Sequence, residues 1–124
     1  MLNTAIIMGR LTRDIDMRMT LTGKKVVNFT LAVEGETKDS EGKKHTDFID
    51  CIAWEQRAVF LTNYFRKGDL MIVSGRVQSR TWEDKEGKKH YTHEIAVEQV
   101  NFVPSQKRKE FAEISAEEAG DLPF

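Results

Sequence analysis

The stretch "EQRAVFLTNYFRKG", residues 55–68, decides the fold. It carries the one helical pattern in a domain otherwise cut into strands: Ala58, Leu61, Tyr64 and Phe65 recur at helical spacing and share a face. Arg66 and Lys67 are expected in the last helical turn, with Gly68 as the cap that ends it. Before it lie "NTAIIMGRL" (3–11), "KVVNFTLAVEG" (25–35) and "HTDFIDCIAW" (45–54); after it come "DLMIVSGRVQSRTW" (69–82) and "HYTHEIAVEQVNFV" (90–103). All five runs are rich in Val, Ile, Thr and aromatic residues and alternate in polarity, as strands do. Five strands with a helix between the third and fourth is the element order of the all-β OB-fold, a five-stranded Greek-key barrel; other small β-barrels fit the pattern alone.

The chain has 124 residues, 40% hydrophobic and 31% charged, enough for one core and too few for two. The expected organisation is a barrel domain over residues 1–104 and a short linker with a disordered acidic tail over 105–124. Charge divides the same way. Residues 1–109 hold all 19 Lys and Arg and carry a net charge of +4, whereas residues 110–124 carry five acidic side chains and no basic ones. A mildly basic domain with an acidic tail fits a domain that meets a polyanion and a tail with another task. The single cysteine, Cys51, forms no internal disulfide, and no apolar run approaches the roughly 20 residues of a membrane span. A soluble protein of a reducing compartment is expected.

Strand parity sharpens the functional question. In 45–54 the odd positions Ile49, Cys51 and Ala53 are apolar and suit a core, which would turn Phe48 and Trp54 outward. In the fourth strand Arg76, Arg80 and Trp82 share one parity, with Gln78 between the arginines. Aromatics interleaved with arginines on a sheet surface are what a single-strand binder needs: every base has a π-face that stacks on an aromatic ring for about 1–3 kcal/mol, and guanidinium groups hold phosphates without reading sequence. Taken singly, each aromatic also fits a core position. Arg10, Arg18, Lys43, Lys44, Lys88 and Lys89 likewise fit ordinary solvated surface. Two connections, "DSEGKKH" (39–45) and "DKEGKKH" (84–90), nearly repeat each other and read as basic hairpin turns.

Catalytic and metal chemistry finds little support. His45, His90, His93 and Cys51 have no metal-ligand spacing, and a strand puts His90 and His93 on opposite faces. There is no nucleophile elbow, P-loop or dinucleotide fingerprint. No metal, no cofactor and no enzymatic activity are expected.

The stretches "MLNTAIIMGRLTRDIDMRMTLTGKKVVNFTLAV", "DFIDCIAWEQRA", "YFRKGDLMIVSGRVQSRTWEDKEGKKHYTHEI" and the closing "DLPF" together resemble the bacterial or phage-encoded single-stranded DNA-binding protein family, in the same order and at similar spacing. That family is among the systems from which the stacking energies above are known. The resemblance implies an OB-fold that is not an enzyme, binds single-stranded DNA without sequence preference, assembles as a homotetramer through its first strand, and works in the cytoplasm on the nucleoid. It implies base stacking on Phe48, Trp54 and Trp82, with Tyr91 at a position often aromatic, and a strand path along Arg10, Arg18, Arg66, Lys67, Arg76 and Arg80. It also implies that Asp121, Leu122, Pro123 and Phe124 form a tip that recruits replication, recombination and repair proteins, with the ring in an apolar pocket and the carboxylate on a basic residue.

The chain departs from the family in "RDIDMRMTLTG", which lacks the usual aspartate-proline pair, and in "VEGETKDSEGKK", which lacks an aromatic that some members carry. A protein-interaction OB module of the primosomal accessory type, with nucleic-acid contact secondary, is the alternative function, and an RNA-directed role is a third.

Overall fold

A computed structural model describes residues 1–104; the tail 105–124, including the four tip residues, lies outside the described residues. The strands are β1 (Ala5–Leu11), β2 (Arg18–Met19), β3 (Lys25–Lys38), β4 (Lys44–Trp54), β5 (Leu70–Glu83) and β6 (Lys89–Phe102), with α1 (Gln56–Tyr64) between β4 and β5. The five long runs read from the sequence are therefore strands. The two-residue β2 is an addition, pairing Arg18 with Val26 and Met19 with Lys25 at the start of β3.

The strands pair in the order β1-β5-β6-β4-β3, and β3 returns to β1 through Arg10 opposite Ala32 and Leu11 opposite Leu31, which closes the barrel. All pairings are antiparallel except β4 with β6, which run parallel and meet at Cys51 beside Ile95 and Ile52 beside Ala96. Closure, one crossing helix and this order are those of the OB-fold. Alternation then fills the interior: Leu11, Val27, Leu31, Cys51, Ala53, Met71 and Val73 are all buried.

The helix is shorter than its sequence pattern. It ends at Tyr64, and Phe65 leaves it with extended backbone (φ −117°, ψ 142°), so neither Arg66 nor Lys67 belongs to a helical turn. The cause is burial. Phe65 is 1% exposed and stacks on Phe102 at 4.6 Å, with Phe60 edge-on at 5.9 Å, and a continued helix would not carry its ring into that cluster. Phe60, absent from the helical face read in the sequence, is part of this plug at 8% exposure. Gly68, with φ +90°, is the third residue of a tight turn closed by the Asp69 N–H on the Arg66 carbonyl. That turn is pinned to β1, because the Gly68 N–H donates to the Leu11 carbonyl at 2.7 Å and the Leu11 N–H donates to the Asp69 carbonyl at 2.9 Å.

A bulge in β6 sets the twist of the last hairpin: Ser74 faces Gln99 while Gly75 faces Val97, leaving Glu98 as the extra residue. A Cβ at Gly75 would sit 2.0 Å from the Ala96 carbonyl oxygen, so only glycine fits. Gly75→Ala is expected to cost about 2–3 kcal/mol in urea unfolding through overpacking, and an unchanged midpoint would contradict this contact. Cys51 is buried in the same wall, and burial, reinforced by the Asp50 and Glu94 carboxylates, pushes its thiol up to about 12. The reactive thiolate is therefore scarce at neutral pH. An aromatic disulfide reagent at pH 8 is expected to leave folded protein unlabelled and to label one thiol once urea unfolds it; fast labelling of the native state would contradict the burial.

Candidate nucleic-acid interface

Each wall strand of the barrel spends one face on the core, and the opposite faces join across strands into one outer surface. Arg10 on β1 lies opposite Ala32 on β3, which lies opposite Phe48 on β4. Farther round, Ile52 on β4 lies beside Ala96 on β6, which lies opposite Arg76 on β5. Phe48 and Trp54 thus stand on the face away from Cys51 and Ala53, at 66% and 40% exposure. Arg76, Gln78, Arg80 and Trp82 share the corresponding face of β5, since the β6 bulge lies before Arg76 and the register runs unbroken to Glu83.

Beyond Ile95 the last hairpin has left β4, whose pairs with β6 are confined to Cys51 and Ile52. It stands out as an arm of two strands, with most of its residues exposed. Trp82 is fixed on this arm. Its Nε1–H donates to Thr92 Oγ1 at 3.0 Å, and its indole stacks on His90 at 4.4 Å and 18°. Tyr91 is not brought to the same side: it pairs with Thr81, so it shares the opposite face with Val77 and His93, at 73% exposure.

Trp54 owes its position to a strained residue beside it. Glu55 has φ 56° and ψ −121°, backbone that costs a non-glycine residue about 1–3 kcal/mol. A reciprocal pair holds it: the Glu55 N–H donates to the Lys25 carbonyl and the Lys25 N–H donates to Glu55 Oε1, both at 2.8 Å. The chain thereby turns from strand to helix in one residue, and Trp54 is left at the rim of an open groove lined by Thr20, Thr22, Lys24 and Glu55.

The remaining basic positions form a second group around the turn after the helix. Arg10 Nη1 donates to the Gly68 carbonyl at 3.1 Å. Arg66 folds its guanidinium back onto the carbonyls of Thr62 and Phe65, at 3.2 and 3.0 Å, and so caps the helix end. The Lys67 N–H donates to Asp14 Oδ1 at 2.8 Å. Arg18 lies in a groove with Arg13, Asp14, Asp16 and Asn28, where acidic side chains offset the arginines.

Sequence reasoning missed the groups that set these side chains. Glu94 shares the parity of the outer face yet is only 4% exposed, because Gln78 Nε2 donates to its Oε1 at 3.0 Å and Arg80 Nη2 approaches its Oε2 at 3.6 Å. His90 is tied to Asp84, whose carboxyl is held below its usual range by the imidazole and then by the Lys88 backbone N–H. Among the described residues no group of three His, Cys, Asp or Glu is placed to hold a metal ion, and no helix is long and apolar enough to cross a membrane.

Chemically, the surface offers flat exposed rings at intervals, guanidinium groups between them and a rigid support. The model of the single-strand binding protein family matches residues 2–103. The chain is 41% identical over 103 residues to a single-stranded DNA-binding protein of Halalkalibacterium halodurans, covering 83% of this chain and 61% of the relative. It is 41% identical over 107 residues to single-stranded DNA-binding protein 3 of Listeria innocua (86% and 67% covered), and 42% identical over 103 residues to a single-stranded DNA-binding protein of Bacillus cereus (83% and 61%). It spans between three-fifths and two-thirds of the length of these relatives, 61–67%. The whole barrel, with the outer face just described, falls within the matched residues, and the chain belongs to the single-strand binding protein family.

Proposed function

We propose that this protein is a non-catalytic, sequence-tolerant binder of single-stranded DNA that protects and organises the strand during replication, recombination and repair. The observation that carries this function is the alignment of exposed Phe48, Trp54 and Trp82 with Arg76 and Arg80 on the outward parity of β4 and β5, the strands on either side of β6. Bases stack on the rings, and phosphates run past the arginines. Arg10, Arg18, Arg66 and Lys67 extend the path beyond the post-helix turn, and Tyr91 offers the far side of the arm to a strand that wraps its edge.

The outward side of β1 carries Ile6 and Met8 at 68% and 52% exposure, opposite Ser74 and Ile72 of β5. Apolar side chains on an outward strand face support assembly into a homotetramer through β1. Residues 105–124 serve as linker and recruiting tail, with Asp121, Leu122, Pro123 and Phe124 docking replication, recombination and repair enzymes; the acidic run beside an apolar cluster supports this. A cytoplasmic, nucleoid-bound location follows from these partners.

Rings and guanidinium groups separate in one titration. Trp54→Ala is expected to weaken oligothymidylate binding by about 1–3 kcal/mol with little change in melting temperature, and a large melting shift with unchanged affinity would contradict the outward role of Trp54. Replacing Arg76 or Arg80 with Gln should flatten the slope of log affinity against log salt by about 0.7 each, since that is the share of one single-strand phosphate contact. Removing residues 121–124 should leave DNA affinity intact and abolish capture of a tail-binding partner enzyme; loss of DNA binding instead would overturn the division of labour.

A further inference from the structure

The two near-identical loops of the chain form an internal comparison. In the first, Asp39 Oδ1 accepts the N–H groups of Glu41 and Lys43 at 2.9 Å each; in the second, Asp84 Oδ1 accepts those of Glu86 and Lys88 at the same distances. Each loop is closed by the same backbone pair, from Asp39 to the Lys43 carbonyl and from Asp84 to the Lys88 carbonyl. Each also ends in a histidine six residues after the aspartate, and there the likeness stops. His45 turns to Asp47 at 2.9 Å and stands 79% exposed. His90 turns back to Asp84 Oδ2 at 2.8 Å and lies flat against Trp82. The difference follows from the cross-strand neighbour: Trp82 is in register with His90, and the residue two before Asp39 is Thr37, which has no ring.

We propose that His90 is a positioning residue for the stacking surface of Trp82: the imidazole, tied to Asp84, backs one face of the indole and presents the other to a base. Two contacts then fix the indole, the Thr92 hydroxyl at its N–H and His90 behind it. A ring ordered before binding loses little rotamer freedom when a base arrives. The base, the indole and the imidazole form a three-layer stack, and the Asp84 carboxylate anchors its far end. Trp54 has no such backing ring among the ring contacts of the described residues and relies on the strained Glu55 junction instead. This role rests on the single-strand function proposed above.

The chain has two tryptophans, so a Trp54→Phe background leaves Trp82 as the one reporter. In that background, His90→Ala is expected to lower the NMR order parameter of the indole N–H and to weaken oligothymidylate binding roughly 3- to 10-fold, the cost of immobilising one side chain. His90→Phe, which keeps a ring behind the indole without the tie to Asp84, should recover most of both. His45→Ala, the equivalent change in the other loop, should alter neither. Urea midpoints check that every variant is folded. Parental order and affinity in His90→Ala would overturn the proposal, as would a loss of order with no loss of affinity. A parent protein that shows neither fluorescence quenching nor a salt-dependent complex would remove the single-strand function itself, whereas a parent and a His90→Ala variant that bind equally well would remove only the role of His90.

Discussion

The barrel depends on one short parallel seam, where Cys51 and Ile52 of β4 run beside Ile95 and Ala96 of β6. Parallel strands cannot be joined by a hairpin, so the chain must leave β4, cross and come back, and α1 with β5 provides that passage. The seam also fixes sidedness. With Cys51 and Ile95 inside, Ile52, Ala96 and Arg76 take the outward parity, Ile52 covered there at 6% exposure, and alternation carries this assignment along each strand to Phe48, Trp54, Arg80 and Trp82. A slip of one residue at the seam would send the rings into the core and Cys51 into water.

Alternation of period two is why much of the fold was legible in the sequence. The runs around Cys51 and Arg76 state their own faces, and the helical spacing of Ala58 and Leu61 states where the crossing lies. What was not legible is set by partners distant in the chain. Phe65 has helical spacing, but Phe102, 37 positions later, draws it out of the helix. Tyr91 sits near Trp82 in the alternating text, and only the β5–β6 register shows that they occupy opposite faces. Glu94 reads as a surface carboxylate until Gln78 and Arg80 are laid over it. Likewise, the twin loops read as equivalent, and only Trp82 across the strand from His90 makes one of them part of the candidate site.

Two kinds of rigidity support the exposed rings. At Trp54 it is backbone strain, held by the pairing of Glu55 with Lys25; at Trp82 it is side-chain contact on an arm that has left the barrel. The first is tied to the core through β3 and β4, while the second depends on a two-stranded hairpin and needs its own bracing. Phe48 takes its place from β4 alone, between Asp47 and Ile49 on a strand already fixed by β3. A surface of this kind favours any base with a π-face over any particular base, in keeping with sequence-tolerant binding.

The central claim is that the outward parity of β4 and β5 receives the strand. It is tested most directly by NMR shift mapping of the protein against an unlabelled oligothymidylate, with side-chain resonances assigned for the aromatic and arginine residues. The largest perturbations are expected at the rings of Phe48, Trp54 and Trp82 and at the guanidinium groups of Arg76 and Arg80, with Cys51 and Ala53 little changed. Perturbations confined to Val77, Tyr91 and His93, with the opposite face silent, would contradict it.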